Sequence, residues 1–224
     1  MNSKLRRICL VGATGLVGSA IMQHCTGRDD VHVVGVGRRR SETVPPGAEF
    51  LAGEPIDWPS LIRESRADVL VCALGTTMKA AGSRPQFRAI DHDLVRYVAE
   101  GAVAAGITHM IVVSSVGADR QSRSFYLQVK GETEDALARL PLKRLDVLRP
   151  SLLRGRRGQS RPLERLGQLT APAVGALLFH GPLRRYRSIR ASDVAKAIVS
   201  LAEQPVEGRF VHEFDAIVQA ASRK

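Results

Sequence analysis

Tyr126 and Lys130 stand four residues apart in Phe125-Tyr-Leu-Gln-Val-Lys130, a spacing that puts both on one face of a helix. An ammonium beside a phenol favours the phenolate, so such a pair can give a proton to an oxygen and take one back. Upstream, an apolar run ends in Ser114-Ser115, and a serine hydroxyl at that point can donate to a substrate oxygen and hold it beside the tyrosine. The chemistry these types allow is proton transfer to a carbonyl oxygen. A Tyr-x-x-x-Lys pair also arises by chance on many helices, so its weight depends on its surroundings.

A second constellation supplies them. Gly12-Ala-Thr-Gly15-Leu-Val-Gly18 follows the first apolar run and opens into a helical pattern. Glycines at 12, 15 and 18 allow a tight turn, close approach to a pyrophosphate and close helix-to-strand contact, while the helix start offers free N–H groups. At the end of the second apolar run, an NAD-binding chain of this kind carries a carboxylate for the adenosine ribose. Here the residues are Gly37-Arg38-Arg39-Arg40. Guanidinium forks grip a 2′-phosphate through paired charge-assisted bonds, so NADP(H) is the expected cofactor.

The elements that must position these groups are legible in the hydrophobic periodicity. Strands are expected at Ile8 to Val11, Val31 to Val36, Glu49 to Leu51, Val69 to Ala73, His109 to Val113 and Arg144 to Leu148. Helices are expected at Leu16 to His24, Trp58 to Glu64, Gln86 to Ala105 with Gly106 as a stop, Ser122 to Arg139, and Ala191 to Glu203. Strands apolar on both faces, alternating with helices, imply an α/β Rossmann-type doubly wound parallel sheet. After Pro150 the rhythm fails, and Pro162 to Phe179 reads as short helices. The expectation is one domain over 1–224, with a nucleotide-binding core over 1–150 and a small C-terminal, substrate-facing lobe over 151–224.

The 224 residues carry a formal charge of +11, from 33 Lys+Arg against 22 Asp+Glu. So basic a chain raises the question of nucleic acid, but 27 of the cations are Arg scattered along the sequence. The clusters around Arg156 and Arg185 lack interleaved stacking aromatics apart from Tyr186, so a nucleic-acid partner is disfavoured. Three cysteines, 9, 25 and 72, form no C-x-x-C pair, and the six histidines show no ligand spacing. These features predict a reducing compartment and no metal, with a cytoplasmic location as the default. No apolar stretch is long enough to span a bilayer. A thioester route needs a reactive Cys near the nicotinamide; none follows Cys72, and all three read as buried small hydrophobes.

The chain resembles the atypical and extended short-chain dehydrogenase/reductases, and within them the HIV Tat-interactive protein family of oxidoreductases. The resemblance spans most of the chain. It rests on Gly12-Ala-Thr-Gly15, Gly37-Arg38-Arg39, Leu74-Gly75-Thr76-Thr77, Ser114-Ser115-Val-Gly-Ala-Asp119, Phe125 to Glu132, Arg149-Pro150 and Ser160-Arg161-Pro162. It implies that Thr14, Gly15, Leu16 and Val17 hold the pyrophosphate, Arg38 and Arg39 the 2′-phosphate, and Leu74 with Gly75 the adenosine side. Leu153 and Arg161 match positions near the nicotinamide half. Tyr126 is then the acid/base, Lys130 holds the nicotinamide ribose and tunes the tyrosine, and Ser115 orients the carbonyl, with Ser114 as the fallback for that role and a residue of the cofactor site.

Two positions depart from the pattern. Where many relatives carry a relay Asn, the nearest residue is Asp91, and the acidic residue expected after the third strand falls late, at Asp57; both read more readily as cap or turn residues. The expected activity is NADPH-dependent hydride transfer to a carbonyl of a small-molecule substrate. The alternative is an NADPH-binding redox sensor with little turnover. A homodimer is compatible with helices on such a sheet.

Overall fold

The computed structural model describes residues 5–155 and 181–223. Nine strands and eight helices are found among them. The strands are β1 (Arg6–Val11), β2 (Val31–Gly37), β3 (Glu49–Ala52), β4 (Val69–Cys72), β5 (His109–Val113), β6 (Arg144–Leu148), β7 (Leu153–Arg154), β8 (Ile189–Arg190) and β9 (Gly208–His212). The helices are α1 (Leu16–Cys25), α2 (Trp58–Glu64), α3 (Met78–Ala81), α4 (Arg84–Arg88), α5 (Leu94–Ala104), α6 (Phe125–Ala138), α7 (Ala191–Ala202) and α8 (Phe214–Ala221).

Seven strands form one parallel sheet in the order β3-β2-β1-β4-β5-β6-β9, and β7 pairs with β8 in a separate ribbon. The order reverses between β1 and β4, the place where doubly wound sheets open a ligand crevice at the strands' carboxyl ends. Alternate strand residues feed two cores. Ile8, Leu10, Val69, Val71, Ile111 and Leu148 pack with α1, α7 and α8 on one face. Cys9, Val11, Leu70, Cys72, Met110 and Val112 pack with residues of α2, α5 and α6 on the other. Each fully buried Val, Leu or Ile contributes about 1.5–3 kcal/mol, which is why a chain with few aromatics holds together.

Local chemistry sets the boundaries. Helix α5 ends where Gly106 takes φ +83, its N–H donating to Val103 O (2.9 Å) while Ile107 N–H donates to Ala102 O (2.9 Å). That is a Schellman stop. Asp57 caps a 3₁₀ turn over Pro55–Asp57, where its carboxylate accepts from Glu54 N–H at 3.2 Å, so it acts as the turn residue expected.

Two differences from the sequence reading matter. The helix expected over Gln86 to Ala105 is broken by a π-helical turn, Ala89–Asp93, between α4 and α5. Strand β9 was not expected, since Gly-Arg-Phe-Val-His lacks a continuous apolar run. It nevertheless closes the sheet beside β6, and α7 and α8 join the core under β1 and β6. Polar side chains hold it there: the Arg144 guanidinium lies 4.4 Å from the Phe210 ring centroid, and His212 Nε2 lies 2.8 Å from Asp146 Oδ1. The short helices expected over Pro162 to Phe179 lie outside the described residues. Among the described residues, no helix is long and apolar enough to cross a membrane.

Candidate functional site

The glycine loop between β1 and α1 is built by close approach. Gly12 takes φ +90, and a Cβ there would lie 2.7 Å from the Ala73 carbonyl. A Cβ at Gly18 would lie 2.1 Å from Gly12 O, so α1 can cross the loop only without a side chain. Gly15 N–H donates back to Gly12 O at 3.0 Å, and Gly15 caps α1 with no side-chain bond. The first-turn N–H groups of α1 therefore have no capping side chain, the arrangement that receives a phosphate. Thr14 and Gly15 are exposed at the rim, Leu16 is half-buried, and Val17 is buried beneath them.

Beyond β2, Arg38 and Arg39 are exposed, whereas Arg40 donates to Ala48 O (2.9 Å) and Pro45 O (2.7 Å). Arg40 thus braces its own loop, and two of the three arginines are left for a ligand. Leu74 and Gly75 follow β4. A Cβ on Gly75 would lie 3.5 Å from Asp91 Oδ1 and 3.7 Å from Lys130 Nζ, so this loop passes directly over the lysine.

Tyr126 and Lys130 lie on α6 as their spacing predicts. The Tyr126 ring packs against the buried Phe87, with centroids 5.4 Å apart. Lys130 Nζ lies 2.7 Å from Asp91 Oδ1, and both side chains are shut from solvent. Burial by itself would pull the ammonium's pKa down, but the Asp91 carboxylate and the neighbouring Tyr126 oxygen raise it above the ordinary lysine value. Lys130 is a fixed positive charge. Asp91 is held in turn by the Thr76 N–H at 2.8 Å, and Thr133 Oγ1 donates to the Asp91 carbonyl at 2.9 Å. The π-helical turn brings Asp91 inward, in keeping with the frequent use of such turns at functional sites. Asp91 is therefore more than a cap.

The two serines after β5 separate. Ser114 is buried, and its hydroxyl donates to Glu134 Oε1; Glu134 also receives Arg149 through Nε (3.1 Å) and a terminal nitrogen (2.5 Å). Ser115 is half-buried, and its Oγ only grazes Val116 O at 3.4 Å. The backbone of this loop is pinned by Val116 N–H to Pro150 O and Asp119 N–H to Leu127 O, each 3.1 Å. A Cβ on Gly131 would lie 2.2 Å from Arg120 N, so the loop can rest on α6 only at a glycine. Sequence reasoning missed Glu134 and Gly131. The available signal was that Tyr126, Lys130 and Glu134 share the i, i+4, i+8 stripe of one helix.

Leu153 lies in the β7–β8 ribbon, partly buried against the core on the α1 side. Arg161 lies outside the described residues. Cys9, Cys25 and Cys72 are buried free thiols. Burial pushes Cys9 up to about 12 and Cys25 and Cys72 up to about 11, so none is a thiolate nucleophile near neutrality. Among the described residues, no group of three or more metal-ligating side chains gathers.

A family model described as NAD(P)H-binding matches residues 12–205. Protein FMP52-1, mitochondrial, of Scheffersomyces stipitis is 33% identical over 205 residues, 88% of each chain. Protein FMP52, mitochondrial, of Saccharomyces cerevisiae is 34% identical over 199 residues, 86% of each chain. Protein HTATIP2 of Rattus norvegicus is 35% identical over 168 residues, 73% of this chain and 69% of the rat protein. Among solved structures, Bordetella bronchiseptica WbmH in complex with NAD+ superposes with a TM-score of 0.70 at 16% identity, over 94% of this chain and 76% of that one. At that identity the likeness speaks for the Rossmann-type fold. The mitochondrial names overturn the expected cytoplasmic location. Cysteine usage bears on the redox state of a compartment, not on which compartment it is.

Proposed function

This chain belongs to the NAD(P)H-binding family, and on that premise we propose that it is an NADPH-dependent oxidoreductase of the short-chain dehydrogenase/reductase type, reducing a carbonyl of a small-molecule substrate. The observation that carries the reading is the buried Lys130–Asp91 pair, 2.7 Å apart, one helical turn from Tyr126. Placing an ammonium out of water costs several kcal/mol unless it is compensated, as Asp91 does here. A protein that only sensed NADPH could use Lys130 to hold the ribose but would have no use for an acid/base tyrosine beside it.

The glycine loop fits a dinucleotide, because Gly12 and Gly18 let the chain pack tightly on itself there and the first-turn N–H groups of α1 are left without a capping side chain. Gly12, Thr14, Gly15, Leu16, Val17 and Gly18 would hold the pyrophosphate, Leu74 and Gly75 the adenosine side, and Arg38 and Arg39 the 2′-phosphate. When bound, the reduced nicotinamide supplies the hydride. Ser115 holds the carbonyl oxygen by a hydrogen bond. As the carbonyl carbon gains hydride and its π bond breaks, Tyr126 gives its phenolic proton to the oxygen. The phenolate left on Tyr126 is stabilised by the Lys130 ammonium until solvent returns a proton. Asp91 keeps Lys130 charged and aimed.

The test is Tyr126→Phe, assayed by NADPH oxidation over a panel of carbonyl compounds. The variant should bind NADPH as the wild type does and lose turnover by roughly 10²–10⁴-fold, the usual size of a general-acid contribution. Undiminished turnover in Tyr126→Phe would end the assignment.

A further inference from the structure

Because every strand of the main sheet is parallel, connections leaving strands emerge at one edge and connections entering them at the other. Segments 12–15, 38–48, 53–57, 73–83, 114–124, 149–155, 181–190 and 213, which follow strands, contain 12 Lys or Arg and 5 Asp or Glu. Segments 26–30, 65–68, 105–108, 139–143 and 203–207, which precede them, contain 4 and 5. Among the described connecting segments, the basic excess lies on the carboxyl edge, around the site. Part of it is already engaged: Arg149 by Glu134, Arg184 by Asp215 at 2.8 Å, and Arg40 by its own loop.

Arg154 and Arg190 are different. They are register partners in the β7–β8 ribbon, so their side chains leave adjacent strands, about 4.8 Å apart, on the same side. The preceding pair, Leu153 and Ile189, packs into the core, which turns the arginine pair the other way; both arginines are exposed. Among the described residues, neither meets a carboxylate. Like charges directly opposite one another destabilise a strand pair, and an anion between two guanidinium forks reverses that sign. The ribbon also lies beside the phosphate loop: a Cβ on Gly155 would lie 2.8 Å from Leu16 Cδ1 and 3.4 Å from Ala191 Cβ.

We propose that Arg154 and Arg190 form an anion-binding site that grips a carboxylate or phosphate group on the substrate. Resting on the reductase reading, this narrows the substrate to carbonyl compounds with an acidic group. The cofactor's pyrophosphate has its own place at α1, so the pair is free for a second anion.

Two measurements on Arg154→Gln/Arg190→Gln test it. With NADPH-loaded protein, inorganic phosphate should raise the melting temperature of the wild type above that in chloride of equal ionic strength, and the double variant should lose that rise. In turnover, the wild type should prefer an α-keto acid to its neutral amide, and the variant should lose about tenfold of that preference in kcat/KM with NADPH affinity unchanged. Equal phosphate stabilisation of both proteins, or an unchanged preference, would overturn the proposal. So would a parallel loss of NADPH affinity, which would give the pair to the cofactor. If no compound of the carbonyl panel is reduced while phosphate still separates the two proteins, the anion site stands and the reductase reading falls.

Discussion

The two edges of the sheet use the same residue types in opposite ways. At the amino edge, several charges are matched over short distances. Arg28 grips Asp30 through two nitrogens, at 2.9 and 2.5 Å, Lys143 reaches Glu207 at 3.3 Å, and Arg144 binds both Asp146 and the Val206 carbonyl. At the carboxyl edge, Arg38, Arg39, Arg154 and Arg190 are exposed, and among the described residues none has a carboxylate partner. Arginine at one edge closes strands onto one another. At the other it is available to something outside the chain, which explains how a chain of charge +11 can be basic without a nucleic-acid motif.

Breaking the amino-edge pattern should cost stability and spare binding. Asp146 is fully buried and is bonded by Arg144 (2.6 and 2.9 Å), His109 (2.9 Å) and His212 (2.8 Å). Burial alone would raise its carboxyl pKa, but these bonds outweigh it and hold it far below the usual range. Asp146→Asn strands the buried Arg144 and should cost about 3–5 kcal/mol in urea unfolding at neutral pH, with NADPH affinity little changed. The folded value is depressed, so the stabilisation is complete above the unfolded carboxyl value of about 3.9 and fades as pH falls through and below it. The gap between wild type and variant should therefore narrow from about pH 5 downward. A gap that is constant with pH would show that ionisation of Asp146 plays no part.

The same contrast explains what could be read in advance. β1, β2, β4 and β5 announce themselves because both faces of each are buried, leaving near-continuous runs such as Val31 to Val36, while β6 buries Arg144 and Asp146 among its apolar residues. The glycine loop and the Tyr126–Lys130 pair were legible because their chemistry demands a fixed local spacing. β9 was not, since it is an edge strand held by Arg209 to the Leu142 and Leu140 carbonyls and by His212 to Asp146, contacts between residues 66 to 69 apart in sequence. Asp91 was visible only as a candidate: no local pattern discloses a π-helical turn or its partner Lys130. Ser114 and Ser115 are identical in sequence terms, and only Glu134, one turn beyond Lys130, tells them apart.

An intermediate effect is expected where the carboxyl edge is itself a matter of packing. Gly131→Ala would put a methyl 2.2 Å from Arg120 N and 2.3 Å from the Asp119 carbonyl carbon, both backbone atoms, so the loop carrying Ser115 must lift from α6. Overpacking of this kind costs about 1–3 kcal/mol. Turnover should fall through kcat by more than stability alone explains, while NADPH binding at the distant glycine loop is preserved. Equal losses in kcat and in cofactor affinity would instead mean a general collapse of the edge.

The smallest change in stability should come from Arg38→Ala/Arg39→Ala, since neither side chain has a partner among the described residues to lose. Surface substitutions of this sort stay within about 0.5 kcal/mol. Their effect belongs wholly to the ligand. A 2′-phosphate held by charge-assisted bonds gains about 1.5–3 kcal/mol per bond, so the wild type should be stabilised far more by NADPH than by NADH, and the double variant should respond to the two nearly alike. Melting curves of both proteins with each cofactor measure this directly. Equal stabilisation of the wild type by NADPH and NADH would remove the cofactor from the list of anions awaited at this edge, and would leave Arg38 and Arg39 as solvated charges on a loop that Arg40 and the turns at Ser41 and Pro45 hold in shape.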